Sequence, residues 1–93
     1  LLAPTGQTAD TLGWILAGDG QAETALTLLR QAAARLPGDP SVAYHLAVAL
    51  KDTGKPAQAA TLLAAVLKTD VKFDEREQAR RLQEELATAA AGK

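Results

Sequence analysis

Apolar residues along this chain recur three and four positions apart, the spacing of one helix face, and no window alternates apolar with polar long enough for a strand. The first such stripe runs Leu12, Ile15, Leu16, and the second Ala25, Leu28, Leu29, Ala32. A stripe of this kind cannot stay in water, so each is expected to face a neighbouring helix. Boundaries follow from local chemistry. Asp39 is placed to cap a helix whose first turn holds Pro40, where no amide donor is needed. Gly54 ends that helix, Pro56 opens the next, and Asp74 is placed to cap the last. The pattern predicts helices near 8–18, 21–35, 40–53, 56–68 and 74–89. The last has a narrow seam of Ala79, Leu82, Leu86 and Ala89, with charges elsewhere. Within it, Glu77 with Arg81 and Arg81 with Glu85 lie at pairing distance along the helix.

The chain also repeats. Displaced by 34 residues, Leu12 falls on Leu46, Gly13 on Ala47, Leu16 on Leu50 and Gly20 on Gly54. Further on, Ala25 falls on Ala59, Leu28 on Leu62, Leu29 on Leu63 and Ala32 on Val66. Small meets small and large meets large, the mark of stacked helix–turn–helix units that bury one another's stripes. Gly13, Ala25, Ala47 and Ala59 are the small residues expected where helices cross closely.

These residues resemble the tetratricopeptide repeat family. The Leu12-Gly13 pair, turn glycine Gly20, small residues Ala25 and Ala32 and closing Pro37 match its pattern, and Leu46, Ala47, Gly54, Ala59 and Val66 match it again. The second repeat departs at Val71, which lacks the closing proline, and Ala9 and Ala43 stand where the family has an early tryptophan, implying a slimmer core. The resemblance implies an all-α solenoid of two helix–turn–helix repeats, at 6–39 and 40–73, with residues 1–7 a tail or remnant of a preceding repeat and 74–93 a capping helix with a short tail. More narrowly, "DTLGW" and "YHLAVAL" followed by a charged helix resemble the C-terminal segments of bacterial exosortase-associated repeat lipoproteins. That likeness implies a periplasmic or outer-membrane-associated parent; without it, a cytoplasmic one.

Composition narrows the function classes. Of 93 residues, 10 are basic and 11 acidic, a balance that leaves no electrostatic footprint for nucleic acid or an anionic membrane. With no cysteine there is no thiolate chemistry and no disulfide frame. No apolar run approaches the roughly 18 residues of a membrane span, and "LLAPTGQT" has no basic flank or long apolar core. The absence of methionine throughout leads us to expect a piece of a longer protein. Were it the terminal repeats of a longer solenoid, its exposed N-terminal face, Leu1 and Leu2 included, would be sticky and favour self-association.

The glycines of "LGWILAGDGQAETAL" do not make a phosphate loop, because no strand precedes them and no Gly-Lys-Ser/Thr follows. His45, the only histidine, has too few companions for a metal site and no partner for catalysis, so it is expected to pack or to line a groove. No cofactor and no enzyme activity are expected. In the family, the first helix of each repeat lines a concave surface that recognises peptides. The resemblance places Asp10, Trp14 and Ala17 there from the first repeat and Ser41, Tyr44, His45, Val48, Lys51 and Asp52 from the second, with Glu75, Gln78 and Leu82 from the last helix. Trp14 and Tyr44, the only tryptophan and tyrosine, are the favoured anchors for a protein or peptide partner. The family's carboxylate clamp is excluded, since Asp10, Trp14, His45, Glu75 and Ala79 hold its places. An apolar or mixed-charge segment is the expected ligand. The alternative is a set of terminal repeats that cap a longer solenoid and have no ligand of their own.

Overall fold

The computed structural model describes residues 5–91, which form five helices: α1 (Gly6–Gly18), α2 (Ala22–Arg35), α3 (Pro40–Asp52), α4 (Pro56–Leu67) and α5 (Arg76–Ala91). The fold is all-α, with α1 and α2 forming one antiparallel pair, α3 and α4 a second, and α5 packed on α4. Leu1 and Leu2 lie outside the described residues.

The starts and stops have local causes. Thr5 accepts a hydrogen bond from the Thr8 amide and caps α1, which therefore begins two residues earlier than the expected residue 8. The Asp39 carboxylate accepts from the amides of Ser41 and Val42 ahead of Pro40, as its position implied. The α3–α4 turn needs a left-handed residue, and Gly54 supplies it at φ 80°. The last helix differs from expectation. The Glu75 carbonyl accepts the first helical bond, from the Ala79 amide, so Glu75 and not Asp74 stands at the cap position.

The core is built where small residues let helices close on one another. Ala25, Ala47, Ala59 and Ala79 are fully buried beside Leu29 and Leu63. At the α1–α2 crossing a methyl group on Gly13 would sit 2.8 Å from Leu29 Cγ, so the backbones approach at the limit a glycine permits. Two sequence assignments fail here. Leu12 and Ile15 are 44% and 55% exposed, because α2 and α3 pack on the opposite side of α1, along Gly6, Ala9 and Gly13. Ala89 is exposed as well, and the buried seam of α5 is Ala79, Leu82 and Leu86.

Ala43 stands in a hollow of about 210 Å³ between the start of α3 and the end of α4, walled by Pro40, Leu62, Ala65 and Val66. The corresponding region between α1 and α2 is filled by Ala9, Ala32 and Leu36, closed by Val42 of α3. Ala43→Leu is therefore expected to raise stability by about 1 kcal/mol through added apolar burial. In a thermal melt the midpoint rises by about 4 °C; a lower midpoint would show that the branched side chain does not fit.

Candidate functional site

The first helices of the two repeats and α5 lie side by side and present one continuous face. On it, Trp14 of α1, Tyr44, Val48 and Lys51 of α3, and Gln78, Arg81, Leu82 and Glu85 of α5 surround a hollow of about 300 Å³. Six sequence candidates, Trp14, Tyr44, Val48, Lys51, Gln78 and Leu82, thus meet at one place. Arg81 and Glu85 join them without having been anticipated there, since both had been assigned to pairing along their own helix.

Of the two expected pairs, Glu77 with Arg81 forms as a long contact, whereas Glu85 pairs across to another helix. Glu77 accepts two hydrogen bonds from Arg80, at 2.8 and 2.7 Å, which together with the Arg80 charge hold its carboxyl below the ordinary value. Arg81 reaches Glu77 only at 3.9 Å and is 74% exposed. Glu85 turns toward α3, where its carboxylate lies 3.6 Å from Lys51 Nζ; Asp52 lies 3.7 Å from the same nitrogen. The hollow therefore has an aromatic and aliphatic floor and two cations whose ion pairs are long and open to exchange.

Asp10, His45, Ser41 and Glu75, also expected on this face, form a hydrogen-bonded cluster beneath this floor. His45 is 6% exposed. Its Nδ1 is 2.7 Å from Asp10 Oδ1 and its Nε2 2.8 Å from Glu75 Oε2, while Ser41 Oγ donates to the other Glu75 oxygen at 2.7 Å. The carboxylates sit on opposite sides of the ring, and among the described residues no group of histidine and carboxylates converges to hold a metal ion. Both nitrogens can donate at once only in the imidazolium form. Trp14 stacks on the same ring, centroids 4.1 Å apart and planes 20° apart, and Tyr44 leans on both rings at 5.8 Å. The upper wall of the hollow thus rests on the clasp below it.

Glu75 is set in place by groups the sequence did not single out. Phe73 packs against the core, and the Arg76 guanidinium donates to the carbonyls of Leu67 and Val71, pinning the turn between α4 and α5. The arginine-to-carbonyl contacts have no sequence signature. The clasp had one, because the repeat register already put Asp10, His45 and Glu75 on one face; what was missing was the direction of each side chain.

The charges at Glu75 have a pH consequence. Burial is the largest single influence and pushes its pKa up, but hydrogen bonds from Ser41 and His45 and the attraction of His45 outweigh it and leave the carboxyl below its ordinary value. The unfolded chain then takes up this proton first as pH falls. Glu75 therefore contributes stability that is complete above the ordinary glutamate value of about 4.3 and is lost as pH falls through the lowered folded value. Urea midpoints measured across this range should fall for the native sequence and fall less for Glu75→Gln; parallel curves would count against the assignment.

Tyr44 is moved the other way. Burial, then the Glu75 charge, raise its phenol above the ordinary value, so it stays neutral wherever the clasp operates.

A family model described as tetratricopeptide repeat matches residues 16–86. No curated protein and no solved structure matches the chain at a significant level, so the narrower likeness to repeat lipoproteins gains no support from them.

Proposed function

Since the chain belongs to the tetratricopeptide repeat family, whose repeats generally serve as non-catalytic scaffolds for protein interaction, we propose that it docks a segment of a partner protein in the hollow between Trp14, Tyr44 and α5. The carrying observation is that the only tryptophan and tyrosine share one hollow with Val48 and Leu82, under two loosely paired cations. A volume of about 300 Å³ takes one large apolar side chain. Lys51 and Arg81 beside it favour a carboxylate as the neighbouring residue of the ligand, which would exchange with the long Lys51 contact to Glu85. The occupant is thus an acidic peptide with one aromatic or aliphatic anchor, held as an extended strand or a helix. Asp10 and His45 support the floor from below, and Gln78 offers an amide at the edge.

The test is an array of peptides, each with a central Phe, Trp or Leu flanked by Asp, Asn or Lys, titrated against the protein. Acid-flanked members should bind best, and Tyr44→Ala or Trp14→Ala should weaken them by tenfold or more with the helical circular dichroism intact. Unchanged affinity in both variants would remove the groove assignment.

A second reading, terminal repeats that self-associate and carry no ligand, rests on the exposed Leu12 and Ile15. Among the described residues no helix is long and apolar enough to cross a membrane, so this apolar face suits a helix surface better than a span. Light scattering that shows a strict monomer at high concentration counts against it.

A further inference from the structure

We propose that His45 is a proton-operated latch that sets the width of the hollow between Trp14 and α5. The proposal deepens the docking reading above by giving that site a regulator. It starts from hydrogen-bond stoichiometry. An imidazolium has two N–H donors and satisfies Asp10 at 2.7 Å and Glu75 at 2.8 Å together. A neutral ring has one, so on losing the proton one nitrogen turns a lone pair toward a carboxylate oxygen at that same distance, and one arm of the clasp must open.

The structure says which arm. Asp10 stands within α1, whose backbone is closed down on α2 at the Gly13 contact. Glu75 stands on the turn ahead of α5, outside any helix, and keeps the Ser41 hydrogen bond as an alternative partner. The Glu75 arm therefore releases, while Phe73 and Arg76 hold the base of the turn. The start of α5 tilts, and with it Gln78, Arg81 and Leu82, the wall of the hollow opposite Trp14.

Among the described residues, the groups facing His45 are neutral or anionic. From α1 they are Asp10 and the stacked Trp14 ring, from α3 Ser41 and the Tyr44 phenol, and from the turn before α5 Glu75. An occupant gripped in the narrow hollow is thus held while His45 is protonated and released as the proton leaves.

The experiment uses ligand-free protein, so its failure leaves the docking reading standing, and a failed peptide array leaves the latch standing. Side-chain ¹⁵N resonances of His45 and the methyl resonances of Leu82 are followed together as the pH is raised from acid to alkaline. Both nitrogens should carry protons at the acid end, and the Leu82 methyls should shift with the same midpoint as the ring. Trp14, as the only tryptophan, gives a second reading, because a stacked imidazolium quenches indole emission more than the neutral ring does.

Glu75→Gln decides the mechanism. Its amide accepts from an imidazolium N–H and, after a flip, donates to a neutral ring nitrogen, so the arm stays closed in both states. In this variant His45 still titrates but the Leu82 step disappears. A Leu82 signal that ignores the His45 midpoint in the native sequence, or that follows it unchanged in Glu75→Gln, overturns the proposal. The native titration needs no variant to fold.

Discussion

Leu29→Ala is expected to cost about 3 kcal/mol, the usual toll for emptying a fully closed leucine site, whereas Leu12→Ala should cost less than about 0.5 kcal/mol. Both residues belong to apolar stripes of equal strength in the sequence, but Leu29 has no exposed surface and Leu12 is 44% exposed. Leu29 fills the space that Gly13 leaves open at the α1–α2 crossing, and Ala25, Leu26 and Ala47 belong to the same cluster. Its removal leaves a void that neighbours of this size cannot refill by rotamer changes alone. For a domain with total stability of order 5–10 kcal/mol, such a loss consumes a large share. Urea denaturation of the two variants side by side provides the measurement. Equal losses would mean that α1 is packed on its other side.

His45→Leu is expected to cost about 2 kcal/mol, with a different cause. The leucine restores volume against Trp14 but supplies no donor, so two carboxylates are left facing an apolar group. Stranding a fully buried ion costs roughly 3–5 kcal/mol. Here the Asp10 and Glu75 side chains retain 18% and 25% exposure, and water reaching them lowers the figure. A cycle separates the charges from the packing: adding Asp10→Asn and Glu75→Gln to His45→Leu should restore about half of the loss, because neutral amides are cheaper to leave unpaired. No recovery would assign the cost to the lost ring stack.

The repeat and the helix ends were legible because they rest on short-range chemistry. Pro40, Pro56 and Gly54 act on their own backbone, and Asp39 reaches amides two and three residues on, so the α3–α4 hairpin can be read within a residue. The face that α1 buries was not legible in the same way. A 3.6-residue stripe reports that a helix has an apolar side, and Leu12 and Ile15 form one, yet the neighbours of α1 close on its small residues instead. At the site, the register brought Trp14 and Tyr44 together on the page as it does in space. Glu85 and Arg81 were assigned to their nearest partners along the helix, and only the packing of α5 shows that Lys51 offers Glu85 a cation across the groove. The clasp demanded side-chain direction at residues 30 and 35 positions apart, which periodicity does not carry.

A stacked-helix chain is ordinarily a one-dimensional object, in which each helix is secured by the one before and the one after, and either end can fray while the rest holds. The Asp10–His45–Glu75 clasp changes that connectivity. It ties the first helix to the approach of the last through a single ring in the middle of the chain. Loosening of α1 then withdraws a partner from the same imidazole that anchors the approach to α5, and the reverse holds equally. The two ends, which share no sequence neighbourhood, become parts of one opening event, and the chain melts as a closed loop of contacts instead of unzipping as a row.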